Sequence, residues 1–514
     1  MSSAYLDIQS IGIVGGGAMG RGIAQIAILS GHFVYLYDNN AEAVAAADAA
    51  LRTTLATLVE KGKLDAKASE VALGRLKLCN DLADLRGCEL IIEAIIERLD
   101  VKQALFGQLE KIVAGDCILA SNTSSLSITA IAAACAQPER VVGFHFFNPV
   151  PLMKVVEVID GLRSDSAAGD ALMALTRKMG HTPVRARDMP GFIVNHAGRA
   201  MNTEGLRIAQ EGVATFAEID AIMRDQAGFR MGPFELMDLT GLDVSQPVME
   251  SIYHQFYEEA RYRPSPIAAV RLAGGLLGRK SGEGFYLYRD GKKVEPELPM
   301  VASTNEGMPS IPVWVSPAHP QGSAALKTLL QRLGVTPQPD ASPSKDALIL
   351  VTPFGSDASS TAAEQGLDPK RVVAVDTLMD LEKASRRTLM STPATDIAML
   401  AAARAIFGAD GVAVSMIRDS CGFVAQRMVA AIVNTACDIA QQQIASTSDI
   451  DSAVRFGLGY PHGPLTLGDK VGAAHLLEVL RNMLQGSGDP RYRPSSWLVR
   501  RVQTNLSLTI AGNY

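Results

Sequence analysis

The 514-residue chain carries a repeat at long range. Asp188 and Asp419 stand 231 positions apart, and so do Ile208-Ala209-Gln210 and Ile439-Ala440-Gln441, Ile219-Asp220 and Ile450-Asp451, and Gly232-Pro233 and Gly463-Pro464. Asp238 and Asp469 keep that offset, and "RYRPS" recurs at 261 and 491 after slipping by one. A register held over so long a span marks a duplicated helical unit, and it restricts the chain to folds that can be built twice. The offset also reaches backward. Arg140-Val141-Val142 falls on Arg371-Val372-Val373, and "CILASN" (117–122) falls near "ALILVTP" (347–353). The spacing therefore predicts a helical unit over 188–290 and its copy over 419–514. A shortened second α/β domain over 309–418 follows a Pro/Ser/Gly-containing linker at 291–308.

What the first α/β domain holds is written in residues 11–20, "IGIVGGGAMG". "SIGIV" reads as a strand, "MGRGIAQIAILSG" has apolar residues at helical spacing before a glycine stop, and "HFVYLYD" is a second strand ending in Asp38. In that setting Gly15-Gly16-Gly17-Ala18-Met19-Gly20 fits the G-x-G-x-x-G turn of a dinucleotide-binding domain. Gly15 permits the tight turn, Gly17 lets backbone amides approach a pyrophosphate, and Gly20 allows close packing. The following helix presents its positive end to the phosphates. Asp38 can accept hydrogen bonds from both ribose hydroxyls and would repel a 2′-phosphate. With Asn39 and Asn40 after it, not arginine, the pattern favours NAD over NADP. The chain is thus expected to have an α/β Rossmann domain over 1–187, followed by the all-α unit and by the degenerate copy of both.

Bulk properties exclude several other classes. The net charge is −6 and the pI about 5.8, which gives nucleic acid no basic surface. No secretory leader and no membrane-spanning run is visible. The cysteines at 79, 88, 117, 135, 421 and 437 contain no CxxC pair and read as reduced and mostly buried. Nothing suggests a metal, and the expected location is cytoplasmic.

Further apolar runs, "CELIIEAII" (88–96), "DCILASN" (116–122), "RVVGFHFFN" (140–148) and "KVVEVI" (154–159), extend the same sheet. Ligands of such sheets sit beyond the carboxyl ends of the strands, which makes Glu97, Ser124, His145 and Asn148 site candidates. His145 has the pKa range to take a hydroxyl proton, and a carboxylate such as Glu157 would fix its tautomer. Spacing alone leaves a second reading open: a core histidine satisfied by a backbone carbonyl, with Glu157 exposed. Ser124 likewise reads either as a substrate contact or as the cap of a helix starting near Leu126.

"GGGAMGRGIAQIA", "EAIIERLDVKQALF", "SNTSSLSI", "HFFNPVPLMKVVEVI", "DMPGFIVN" and "GPFELMDLTGLD" occur in this order. Over residues 8 to 288 the chain resembles the L-3-hydroxyacyl-CoA dehydrogenases. The resemblance implies His145 as general base, Glu157 as its orienting partner, and Ser124 and Asn195 as hydrogen-bond partners of the substrate oxygens. It implies NAD contacts at Gly15 to Gly20, Asp38, Glu97, Lys102, Asn148 and Lys280. It also implies CoA contacts at Lys61 and at Thr54, where the family usually has serine.

The second copy lacks this chemistry. By offset, His145 maps to Asp376, Glu157 to Thr388, Ser124 to Gly355 and Asn195 to Gln426. "IPVWVSPAHPQG" (311–322), read as the counterpart of the glycine turn, has prolines where glycines are needed. One active site per chain is expected. Short relatives dimerise through the helical unit, so the resemblance implies an intrachain pseudo-dimer of the two helical copies and leaves a homo-oligomer open. The partner is an acyl-CoA thioester. Arg199, four residues after Asn195, could pair with a distal carboxylate such as that of 3-hydroxyadipyl-CoA from phenylacetate breakdown. The alternatives are an interface or surface arginine and a 3-hydroxybutyryl substrate. A rival from another class is a non-catalytic NAD-binding or structural protein on this scaffold.

Overall fold

The computed structural model describes residues 8–295 and 311–512; most of the expected 291–308 linker lies outside them. The chain divides into two compact units. The first holds the described residues up to 196 together with 439–459, and the second holds 197–438 and 460–510.

The first unit is built on eight strands: β1 (Ser10–Val14), β2 (Phe33–Tyr37), β3 (Leu76–Cys79), β4 (Leu90–Glu93), β5 (Ile118–Ser121), β6 (Val141–Phe146), β7 (Val155–Asp160) and β8 (Thr182–Arg187). Their order is β3-β2-β1-β4-β5-β6-β7-β8. Chain order reverses beside β1, which puts the glycine turn at the switch point where such sheets bind ligands. Continuous apolar runs such as "LIIE" in β4 are buried on both faces, as parallel strands require. One join breaks the parallel pattern. β6 and β7 are antiparallel, with His145 directly opposite Glu157. Residues 147–154 between them are too few for a parallel crossover, which takes a dozen or more.

The second unit carries a hairpin, β9 (Tyr288–Arg289) and β10 (Lys292–Lys293), and a five-stranded sheet. That sheet comprises β11 (Val313–Val315), β12 (Leu348–Val351), β13 (Val372–Val375), β14 (Arg386–Ser391) and β15 (Ala413–Ile417), in chain order. Only β13 and β14 are antiparallel, so β12 to β15 repeat the arrangement of β5 to β8. This topology corrects one expectation. β11 is the parallel neighbour of β12, joined to it through helix Pro320–Arg332, and thus takes the place of β4, not of β1. "IPVWVSPAHPQG" is the counterpart of the segment after β4. The glycine turn and the strands β1 to β3 have no counterpart among the described residues.

Each unit also contains a helix from the other repeat. In the first, the Arg187 amide donates to the Ile444 carbonyl at 2.8 Å, and helix Thr447–Leu458 packs on β7 and β8. In the second, the Arg418 amide donates to the Val213 carbonyl at 3.0 Å, and helix Phe216–Asp225 packs on β14. Both pairs obey the 231 offset.

Within the second unit the two helical repeats meet around a fully buried guanidinium. Arg427 in helix Val424–Gln441 donates to Glu204 (2.8 Å) and Glu211 (2.6 Å) of helix Val194–Gln210, and to the Tyr492 hydroxyl (2.9 Å). Among the described residues no helix is long and apolar enough to cross a membrane. All six cysteines are free thiols, four of them buried.

Candidate active site

The glycine turn has the shape its sequence promises. Gly15 has φ +115°, and a side chain there would stand 2.5 Å from the Ala94 carbonyl; one at Gly20 would overlap the Gly15 carbonyl. The turn delivers Gly17 and Ala18 to the surface at the start of helix Ala18–Leu29, while Gly16 is buried and Met19 half-buried. Asp38, just past β2, accepts the Gly16 amide at 2.7 Å and the Asn40 amide at 2.9 Å. Asn40 in turn caps helix Ala41–Glu60. A carboxylate fixed beside a helix N-terminus, with exposed backbone at Gly17, fits a dinucleotide: pyrophosphate at the amides, ribose at Asp38.

The catalytic candidates meet at the far end of β6. His145 and Glu157 are both buried, and Nδ1 lies 2.7 Å from Oε2. The other carboxylate oxygen, Oε1, accepts the amides of Ile193 and Val194, each at 2.9 Å, where helix Val194–Gln210 begins. A carboxylate only accepts, so Nδ1 carries the proton in the neutral ring, and Nε2 is the nitrogen able to receive another. The rings of Phe147 and Phe192 flank the imidazole at 4.3 and 5.9 Å. The alternative of a histidine bonded to a backbone carbonyl, with Glu157 exposed, is not what the fold contains.

Asn195, one residue past those amides, donates to the Ser124 carbonyl at 3.4 Å. Ser124 does not cap a helix. Ser127 caps the short helix Ile128–Ala132, and Asp188 accepts the amides of Ile128 and Thr129 at the same end. Ser124 is turned toward Glu97, whose Oε1 accepts its amide (2.8 Å) and the hydroxyls of Thr123 (2.7 Å) and Ser125 (3.0 Å). Burial alone would raise the Glu97 carboxyl. The Lys102 ammonium and these hydrogen bonds outweigh that and hold it below the usual carboxylate range.

Lys102 is enclosed by acids: its side chain is 1% exposed, with Nζ 2.5 Å from Glu93 and 3.3 Å from Glu97. Glu93, at the end of β4, also accepts the Ser121 hydroxyl at 2.6 Å. The sequence reading passed over Glu93, Ser121 and Thr123, although an acid closing the apolar run "LIIE" was a visible signal. Asn122 was missed too; its side chain accepts the Phe146 amide and ties the two strand ends together. Asn148 is exposed just past β6. Thr54 and Lys61 are exposed at the end of helix Ala41–Glu60, the Thr54 hydroxyl bonded to the Ala50 carbonyl.

Two expected site residues belong to the second unit. Lys280 pairs with Asp243 at 2.5 Å. Arg199 is buried there, and burial pushes its guanidinium down to about 10, partly offset by Tyr460.

Family comparison agrees with this geometry. The NAD-binding domain model of 3-hydroxyacyl-CoA dehydrogenase matches residues 10–189, and the C-terminal domain model matches twice, at 191–288 and 422–511. The chain belongs to the 3-hydroxyacyl-CoA dehydrogenase family. It is an NAD-dependent oxidoreductase. A 3-hydroxyadipyl-CoA dehydrogenase of Escherichia coli K12 is 38% identical over 97% of this chain and 98% of its own length. A probable 3-hydroxybutyryl-CoA dehydrogenase of Deinococcus radiodurans is 43% identical over 54% of this chain and all of its own. A crystal structure of 3-hydroxybutyryl-CoA dehydrogenase from Escherichia coli K12 superposes with a TM-score of 0.84 at 37% identity, covering 97% of this chain and 99% of that one.

Proposed function

We propose that the chain oxidises an L-3-hydroxyacyl-CoA at C3 through one active site, with His145 as general base. The observation carrying this is the buried His145–Glu157 pair, held from behind by the Ile193 and Val194 amides. His145 Nε2 takes the proton of the 3-hydroxyl as the C3–H bond breaks. Glu157 stabilises the imidazolium that forms, and Ser124 and Asn195 hold the substrate oxygens. NAD, when bound, supplies the hydride acceptor. Gly15 to Gly20 and Asp38 hold the dinucleotide, with Glu97, Asn148 and Lys280 as further contacts. Lys102 is a positioning residue behind Glu97. Thr54 and Lys61 meet the CoA moiety.

The two helical copies, 188–290 and 419–514, act as an intrachain pseudo-dimer, supported by Arg427 between Glu204 and Glu211. The boundaries 1–187, 188–290, 309–418 and 419–514 describe the duplication, and exchange of the 216–225 and 447–458 helices overlays it. The enzyme works in the cytoplasm.

For the acyl group, 3-hydroxyadipyl is the leading substrate and 3-hydroxybutyryl the runner-up, because relatives similar to this chain carry both names. The test is NADH formation from a panel of L-3-hydroxyacyl-CoAs, with His145→Gln as control. Wild type should turn over the panel and the variant should lose about 10² to 10⁴ in kcat/KM. A His145→Gln enzyme of wild-type activity refutes the assignment. Arg199→Ala should lower kcat/KM for 3-hydroxyadipyl-CoA far more than for 3-hydroxybutyryl-CoA; equal losses remove the carboxylate role.

A further inference from the structure

The catalytically empty repeat reaches the active site of the first through the end of one helix. Helix Thr447–Leu458 lies on β7 and β8 with Ile450, Ala453 and Val454 fully buried. Its last turn brings Gly457 against Val194 and Val155. A side-chain carbon at Gly457 would stand 2.9 Å from both Val194 methyls and 3.4 Å from a Val155 methyl. Val194 is the residue whose amide, with that of Ile193, holds Glu157 Oε1. Asn195 follows it directly.

The second unit contains the same contact with its parts exchanged. The position 231 before Gly457 is Gln226, at the end of helix Phe216–Asp225. Gln226 donates to Asp376 at 2.8 Å and accepts the Thr388 hydroxyl at 2.5 Å. Those two residues occupy the positions of His145 and Glu157. The counterpart of Val194 is Ala425. So the covering helix ends at the catalytic pair in both units. Where the pair is intact, a glycine meets a valine; where it is lost, a glutamine bonds both residues at the matched positions.

We propose that Gly457 of the second repeat is a positioning residue for catalysis by the first. Its bare Cα seats Val194, so that the Ile193 and Val194 amides hold Glu157 and Glu157 holds His145. This rests on the His145/Glu157 reading above. If the contact only fits the helix to the sheet, Gly457→Ala lowers thermal stability and leaves kcat unchanged.

The experiment measures kcat, both KM values and thermal unfolding for Gly457→Ala, Val194→Ala and the double variant in the full chain, and repeats Gly457→Ala in a Glu157→Gln background. Gly457→Ala should lower kcat about tenfold and leave both KM values within twofold. Val194→Ala, which loosens the seat without adding an atom, should lower kcat about threefold. Combining them should restore kcat to within threefold of wild type. With Glu157→Gln present, Gly457→Ala should change kcat less than twofold. Wild-type kcat in both single variants overturns the proposal, and so does an undiminished tenfold loss in the Glu157→Gln background. If Glu157→Gln itself keeps wild-type kcat, the His145/Glu157 reading has failed, and the proposal falls with it.

Discussion

At β6 and β7 an imidazole and a carboxylate face each other across an antiparallel pair; at β13 and β14 the same register positions hold Asp376 and Thr388. In the first unit the carboxylate spends one oxygen on two helix amides and the other on the ring, and Nε2 is left for a proton. In the second unit the matched residues are bridged by Gln226. Asp376 is fully buried and accepts Gln426, Gln226 and the Leu378 amide. The position matching Ser124 has no room for a side chain. Gly355, the counterpart of Ser124, has φ +74°, and a side chain there would lie 2.3 Å from the Val479 carbonyl. The anchoring outside the chemistry survives. Asp188 holds the Ile128–Ala132 helix as Asp419 holds the Ala358–Glu364 helix, while the neighbouring bond reverses: Asn195 donates to the Ser124 carbonyl, and Gln426 accepts the Gly355 amide. The second unit has an aspartate where the first has the imidazole, and keeps the aspartate that holds the neighbouring short helix.

The sharpest break of this comparison is a pair of substitutions at matched positions. Glu157→Gln should lower kcat/KM by about 10² or more, and Thr388→Val, its counterpart, should leave turnover within twofold. Steady-state NADH assays decide, and a large loss from Thr388→Val would mean the second site takes part. The next largest effect is on stability. Lys102→Met strands the buried Glu93 carboxylate and should cost about 3–5 kcal/mol in urea unfolding. Arg427→Met leaves Glu204 the Arg491 guanidinium and the Tyr492 hydroxyl and should cost less.

A third test uses pH. Burial raises the Asp376 carboxyl to about 6, against the pull of its hydrogen bonds. The folded state therefore binds its proton more tightly than the unfolded chain. This contribution is fully present below about pH 4 and is lost as pH rises through 6, a swing of at most about 3 kcal/mol. The unfolding free energy of wild type minus that of Asp376→Asn should accordingly fall between pH 4 and 7. A flat difference would show that Asp376 does not titrate in this window. The smallest effect belongs to Lys61, exposed on helix Ala41–Glu60: Lys61→Ala should raise KM for the acyl-CoA about threefold, and less at high salt.

Much of the site was legible before the structure. The turn at Gly15–Gly20 and the acid at Asp38 follow from local spacing, because a short strand–turn–helix fixes where its amides point. His145 and Glu157 were joined by the resemblance, while spacing alone left a backbone-bonded histidine open, although the short 147–154 connection already forbids a parallel crossover. Lys102 was named through the family resemblance; only the packed interior shows its ammonium enclosed by Glu93 and Glu97. The prolines of "IPVWVSPAHPQG" were matched to the wrong strand, since sequence offset cannot tell which strand a degenerate turn follows once three strands are gone.

By itself, then, the sequence determined the dinucleotide turn, the residue types of the chemistry and the duplication, all of which reside in short spacings or a constant register. Tertiary structure alone decided which helix lies on which sheet. The two repeats present similar faces, so covering one's own sheet and covering the other's satisfy the same apolar pattern. The side chains at the helix ends differ: Gly457 lies against Val194 in one unit, and Gln226 bonds Asp376 and Thr388 in the other.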